Sequence, residues 1–343
     1  MGATGSFRAA LLAVAISAPA AGGAVAEDFY QGKTLEIIVS SGVGGDSYDS
    51  LSRLVARHIG AHLPGNPAVV VRNMPGAGGI LAANELYNIA RKDGTVIGML
   101  DQSIYEAQLF KVAGLHADVT KMNWIGRVIS NNAVLFALRS AAVQKIEDAY
   151  SKELIICSTG SSSQLRWTML KRMLGFKFKL ITGYKGTGEG LLAMERGEVE
   201  ALSMPWTVLR VIRANWLQEK KINVLLQTGL DKASDLPDVP RLVDLATNDE
   251  QHQLLELFSQ AEKVGRSFTA PPDLPAERVA QLRKAFNETL GDPSFQADAE
   301  KMQVTLSPLS GDALQAIIIN SFQYSPAIVA KADALIHSAE QDR

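Results

Sequence analysis

Leu35-Glu36-Ile37-Ile38-Val39 runs without a break into Ser40-Ser41-Gly42-Val43-Gly44-Gly45-Asp46-Ser47. A short apolar run rich in β-branched residues reads as a buried strand, and the small, turn-forming residues after it read as a sharp connection. Leu51, Leu54, Val55, Ile59 and Leu63 then recur at helical spacing, with Arg53 and Arg57 on the opposite side. Strand, glycine-rich turn and amphipathic helix make the first half of a βαβ unit.

Working outward, the same alternation recurs. Strands are expected at 69–71, 96–100, 133–138, 154–156, 178–181, 199–202 and 223–226, with helices between them covering the faces of largely parallel sheets. The fold class is therefore α/β. A further strand is expected at 264–269, followed after Pro271-Pro272 by helical stretches at 275–290, 292–302 and 311–338, with a short strand at 303–306. A tail of helices with little sheet of its own must pack on an existing body, and the expectation is the first one. The domain reading is thus residues 27–127 plus 264–343 as lobe 1 and 128–263 as lobe 2, joined by a two-strand hinge.

The N-terminus reads as a secretory signal. Arg8 supplies a positive start, an apolar run follows from Ala9, and Ala24-Val25-Ala26 offers a small-residue cleavage site, so residues 1–26 are set aside as a signal peptide cleaved near Ala26. The run is too short and too broken by Ser17, Pro19 and Gly22-Gly23 for a membrane anchor. Its removal from a chain of 343 residues leaves 317, which suits two lobes better than one core. The net charge of −2 is spread over both signs, so nothing marks a nucleic-acid surface. With Cys157 as the only cysteine, no internal disulfide and no multi-cysteine metal site can form.

Three loops follow expected strands and lead into expected helices: 40–47, then Asn73-Met74-Pro75-Gly76-Ala77-Gly78-Gly79, then Ser158-Thr159-Gly160-Ser161-Ser162-Ser163. In open α/β sheets ligands sit beyond the carboxyl ends of strands. Small residues let backbone N–H groups approach a ligand, hydroxyls donate, and a helix N-terminus carries partial positive charge. That chemistry suits an anion. The loops contain no Lys or Arg, which favours a readily released carboxylate over a tightly held phosphate.

Signals for catalysis are weaker. His58 and His62 stand four apart on a helix without a third metal ligand and read as a solvated face. Ser161 to Ser163 lack the Gly-x-Ser-x-Gly elbow, Gly186-Thr187-Gly188-Glu189-Gly190 has the wrong spacing for a dinucleotide fingerprint, and no phosphate loop is present. No catalytic residue, metal site or cofactor is expected.

With these loops in place, the chain resembles the receptors of tripartite tricarboxylate transporters, the Bug or TctC-like periplasmic binding proteins. The resemblance is carried by Gly44-Gly45 with Asp49-Ser50-Leu51-Ser52-Arg53, by Val70-Val71-Arg72-Asn73-Met74-Pro75-Gly76-Ala77-Gly78-Gly79, by Asp93-Gly94-Thr95, and by Tyr184-Lys185-Gly186 with Gly197-Glu198-Val199-Glu200. It implies a type II periplasmic-binding-protein (Venus flytrap) fold with no cofactor. It also implies a small carboxylate ligand (a di- or tricarboxylate, an acidic amino acid or an aromatic acid), membrane subunits of a transporter as partners, and a monomer in the periplasm. The ligand would meet Gly44 and Gly45 of the first loop and Thr159 and Ser163 of the second lobe, with Ala77 and Gly78 flanking the cleft. The pattern departs from the family where Asp46-Ser47-Tyr48 lengthens the first loop and where Ser162 and Arg166 stand in place of Gly and His.

The full set expected at the ligand is Ser41, Val43, Gly44, Gly45, Asp46, Tyr48, Asp49, Ala77, Gly78, Gln102, Thr159, Gly160, Ser161, Ser162, Ser163, Arg166, Tyr184 and Trp206. Tyr48 and Trp206 are read as stacking on a planar ligand or as packing at the lobe edge. Arg166 is read as a fork for a second carboxylate or as an outward salt bridge. The sequence also fits two rival functions: a carboxylate sensor feeding a two-component kinase, and a hydrolase using Ser163 or Cys157.

Overall fold

The computed structural model describes residues 1–2, 29–44, 47–159, 161–184 and 186–340. Apart from residues 1–2, the expected signal peptide and its cleavage site at Ala26 lie outside the described residues, as do Gly45, Asp46 and Gly160.

In chain order, β1 (Thr34–Val39), α1 (Ser47–His58), β2 (Ala68–Asn73), α2 (Ile80–Asn84), β3 (Val96–Met99), α3 (Ile104–Leu109) and β4 (Asn123–Ile129) come first. Next are β5 (Ala133–Leu138), β6 (Leu154–Cys157), α4 (Ser161–Leu174), β7 (Phe178–Ile181), α5 (Thr187–Glu195), β8 (Ala201–Pro205), α6 (Trp206–Ile212), α7 (Ala214–Gln218), β9 (Ile222–Gln227) and α8 (Asp249–Val264). The chain ends with β10 (Arg266–Ala270), α9 (Ala276–Gly291), α10 (Pro293–Lys301), β11 (Leu309–Ser310), α11 (Gly311–Asn320) and α12 (Pro326–Glu340).

Among the described residues the strands form two sheets. One has six strands in the order β11-β4-β10-β3-β1-β2, the other five in the order β7-β6-β8-β5-β9. The α/β reading holds, yet each sheet is mixed rather than largely parallel. Strand β1 is parallel to β2 and β3, while β10 is antiparallel to both β3 and β4. In the other sheet β6 is parallel to β7 and β8, and β5 runs antiparallel to β8 and β9.

The apolar stripe of α1 buries Leu51, Leu54 and Val55 against β1, and Ile59 and Leu63 continue that core. The second sheet has its own core around Leu135, Ile156, Trp167 and Phe178. Each sheet thus anchors a separate body of apolar side chains, as two-layer packing requires.

The chain leaves the first sheet at Ile129 and enters the second at Ala133, and it returns through Gly265 into β10. The two crossings lie side by side: Asn131 N–H donates to the Glu262 carbonyl at 3.1 Å, and Arg127 Nη1 donates to the Lys263 carbonyl.

Three expectations for the linking regions give way to a different arrangement. No strand is expected over 123–129, yet β4 forms there, and Gly126 suits it because a Cβ would stand 2.4 Å from the Phe286 ring. The short strand forms at Leu309–Ser310, pairing with β4, and not at 303–306. The helical stretch 311–338 breaks into α11 and α12 at Pro326, whose ring cannot supply an N–H and disfavours helix just before it. Freed by that break, α12 crosses over. Leu335, Ile336 and Ala339 pack with the core of the second sheet, although the tail was assigned to the first lobe.

Gly265 ends α8 at φ 55°, ψ −136°, a region reserved for glycine. A Cβ there would lie 2.2 Å from the Ile129 carbonyl oxygen of the adjacent crossing. Gly265→Ala is therefore expected to destabilise the protein by at least ~1–3 kcal/mol, measured as a lowered thermal unfolding midpoint; an unchanged midpoint would show that the crossing is not tightly packed.

Candidate functional site

A cavity of about 540 Å³ opens between the two sheets beside the crossings. Its first-sheet wall is Tyr48 from α1, the segment Asp101-Gln102-Ser103 beyond the carboxyl end of β3, Glu106 and Phe110 along α3, and Arg266 at the start of β10. Leu165, Arg166 and Met169 of α4 face them, and Phe258 and Ala261 of α8 with Ile336 of α12 complete the lining.

Arg266 organises the first wall. Its Nε donates to Ser47 Oγ at 2.8 Å, its Nη1 donates to Tyr48 Oη at 3.2 Å and to Gln102 Oε1, and the guanidinium lies 4.0 Å over the Tyr48 ring. Gln102 N–H donates to the same Tyr48 hydroxyl at 2.9 Å. Burial, with the nearby Asp101 charge, pushes the Tyr48 phenol well above its ordinary range, so it stays neutral. Among the described residues the partners of Arg266 are all neutral. A half-buried guanidinium held in place by neutral groups keeps its full charge for an incoming anion.

Arg166 is different. It pairs with Glu262 at 2.7 Å, a residue only 2% exposed. Burial alone would lower the Arg166 pKa, but the Glu262 charge and hydrogen bond raise it. The salt-bridge reading of Arg166 thus describes its state here, with its partner inside the protein rather than in solvent. Glu106 is held by burial at about 7, well above an ordinary carboxyl, with Arg166 and the Tyr105 hydroxyl (3.1 Å) opposing that rise.

Tyr48, Gln102 and Arg166 are the expected site residues that the structure brings together around this cavity. Arg266, Asp101, Ser103 and Glu106 join them without having been expected. The rule that ligands lie beyond the carboxyl ends of strands points to 101–103; four-residue spacing from Gln102 along α3 then leads to Glu106 and Phe110.

Of the other expected residues, those that are described sit elsewhere or hold the loops. Asp49, 3% exposed, accepts from Gly44 N–H at 2.7 Å, from Asn73 Nδ2 at 2.8 Å and from Arg53 Nε at 3.1 Å. Asn73 Nδ2 also donates to the Ser41 carbonyl at 2.9 Å. The first loop's amide therefore already grips an anion, and it is the protein's own. Val43 and Gly44 are exposed, as are Ala77 and Gly78, both at positive φ. The next residue, Gly79, packs so closely on the other loops that a Cβ would meet Asp101 at 3.0 Å and Ser40 at 3.4 Å.

In the second lobe Thr159 and Ser163 are half-buried and do not line this cavity, and the Ser161 and Ser162 side chains are not described. The Tyr184 hydroxyl stands 3.4 Å from Glu198, on an exposed side chain pair. Trp206 is 6% exposed, packs in a core of the second sheet and donates Nε1 to Asp235 at 2.9 Å. Among the described residues, no group of three or more His, Cys, Asp and Glu forms a candidate metal site, and no helix is long and apolar enough to cross a membrane.

Two sheets flank a charged cavity beside the crossings, and the comparisons identify the family that shares this architecture. The model of the tripartite tricarboxylate transporter family receptor, TctC, matches residues 51–334. The chain belongs to this family. The TctC family is periplasmic and its members are solute-binding receptors. The UPF0065 protein in gbd 5'region of Cupriavidus necator is 25% identical over 295 residues, covering 81% of this chain and 80% of that protein. A TctC solute binding protein from Polaromonas superposes with a TM-score of 0.67 at 18% identity, covering 89% of this chain and 98% of its own. MatC from Rhodopseudomonas palustris, solved with bound malate, gives 0.57 at 17% identity, covering 88% and 99%. These solved structures share the two-lobed binding-protein fold of this chain.

The Asp49 cluster has a definite pH signature. Burial would raise this carboxyl, but the bonds from Arg53, Gly44 and Asn73 outweigh it and hold it at about 2. A carboxyl depressed in the folded state contributes stability above its unfolded pKa of about 4, and that contribution is lost as pH falls toward 2. Asp49→Asn is expected to lower the melting temperature at neutral pH, with the gap from wild type closing as pH falls from about 4 to about 2. A gap independent of pH would show that the carboxylate charge is not what holds the loop.

Proposed function

We propose that this chain is an exported receptor that captures a small organic carboxylate between its two lobes and passes it to the membrane subunits of a tripartite transporter. The observation that carries the reading is Arg266, a guanidinium in the wall of the interlobe cavity whose partners are neutral. Such a group binds a carboxylate with a charge-assisted, two-pronged bond. The bound malate of MatC supports the same ligand class. The lobes close as the ligand gains contacts to both walls, which shifts the population toward the closed form. The signal read at residues 1–26 would deliver the receptor to the periplasm, where it acts as a monomer.

The hydrolase reading loses its cysteine on physical grounds. Cys157 is 1% exposed, and burial pushes its thiol up to about 11, the opposite of an activated nucleophile. The sensor reading uses the same cleft and differs only in the downstream partner.

The test is a thermal-shift screen of the purified protein against mono-, di- and tricarboxylates, aromatic acids and amino acids, followed by calorimetry on the best ligand. A native-state ligand raises the melting temperature by mass action. Arg266→Met should weaken that ligand at least about 30-fold, since truncating one side of a desolvated charge pair costs about 2–5 kcal/mol. A circular dichroism spectrum like that of wild type would confirm that the variant folds. Failure of every carboxylate to shift the melt, or unchanged affinity in the Arg266 variant, would overturn the reading.

A further inference from the structure

The cavity has two poles of opposite sign. Arg266 forms the positive one. On the same wall, one helical turn beyond Gln102, Glu106 faces the cavity, and among the described residues its hydrogen-bond partner is the Tyr105 hydroxyl on Oε1. Its second oxygen is left for whatever enters. Arg166 offsets part of the Glu106 charge through space, but its hydrogen bond goes to Glu262 at 2.7 Å. Asp101, also in the wall, is engaged through Oδ1 by the Ser103 amide and hydroxyl at 2.9 and 2.6 Å. Two arginines are thus set against three acidic side chains. A ligand with two carboxylates would bring a second negative charge to the acidic pole, whereas one with a carboxylate and an ammonium group satisfies both. The apolar side chains of Phe110, Phe258 and Ile336 leave room for its carbon chain.

We propose that Glu106 is the specificity-determining residue of the cleft: it accepts an ammonium group while Arg266 takes a carboxylate, so the ligand is a small amino acid and not a plain dicarboxylate. The proposal rests on the reading of the cleft as a carboxylate site and narrows it. A pH dependence supports it. The charged and titratable groups facing Glu106 are Asp101 and Tyr105 from its own segment, Arg166 from α4 and Glu262 from α8, and burial is the largest influence holding it at about 7. An arriving ammonium group favours the ionised carboxylate, so binding at neutral pH releases protons, and affinity rises between about pH 6 and pH 8. A second ligand carboxylate would do the reverse, taking up protons and losing affinity over the same range.

The experiment is calorimetry on the full-length mature protein, in buffers of different ionisation heat. The probes are the standard L-amino acids and γ-aminobutyrate, against succinate, glutarate and adipate. Wild type should bind one of the amino acids at least about tenfold tighter than any of the dicarboxylates and release protons on doing so. Glu106→Gln should weaken the amino acid at least about tenfold while leaving or improving dicarboxylate binding, and should abolish the proton release. Arg266→Met should weaken both classes. Wild type that binds none of the amino acids, or that prefers a dicarboxylate, overturns the proposal, as does a Glu106→Gln variant with an unchanged preference. Carboxylate capture would still stand if Arg266→Met weakened whichever probe bound, and would fall if it did not.

Discussion

A single guanidinium joins the architecture of this receptor to its chemistry. Arg266 is the first residue of β10, the strand by which the chain returns from the second sheet to the first. From there it reaches Ser47 and Tyr48 at the head of α1 and Gln102 beyond β3. One side chain therefore ties the returning crossing to the carboxyl ends of two neighbouring strands. It sits at the crossing between the two sheets, and its neutral partners among the described residues leave its charge available.

The framework around it divides tasks in a way that loop composition alone conceals. The glycine-rich turn after β1 looks like an anion cradle, and it is one, but its Gly44 amide holds Asp49, which Arg53 and Asn73 brace from the other side. The loop is thereby pre-shaped by an internal carboxylate. The charged groups that face the cavity come instead from helix α3, helix α4 and the crossing strand, where packing against α8 and α12 surrounds them with apolar side chains. Low polarizability around charges strengthens them, which is why Glu106 titrates near neutrality and why Arg166 needs Glu262.

Much of the fold was legible because its signals are local. The strand of residues 133–138 and the stripe of α1 follow from periodicity, and the signatures around Asp49, Asn73 and Gly79 identify the family. What escaped is non-local. Strand β4 is interrupted by Gly126 for the sake of Phe286, a residue 160 positions away in sequence that no window on 123–129 can see. The destination of α12 depends on a break at Pro326 and on an apolar face in the other lobe. Of the residues lining the cavity, Tyr48, Gln102 and Arg166 were legible from strand ends and helix starts, but Arg266 looked like one more residue of a strand. Only the antiparallel pairing of β10 with β3 brings it beside Gln102. Trp206 was read as stacking or as edge packing, and its burial and its Nε1 bond to Asp235 are what the packing alternative describes.

The central claim is that an anion is held by Arg266 in the cleft between the sheets, and a crystal structure with the ligand that most raises the melting temperature tests it most directly. The account predicts a ligand carboxylate within hydrogen-bonding distance of the Arg266 guanidinium, with the walls formed by α3 and α4 drawn together over it. A ligand seated on the glycine-rich loops at 41–44 or 158–163, with Arg266 still bound only to Ser47, Tyr48 and Gln102, would contradict it.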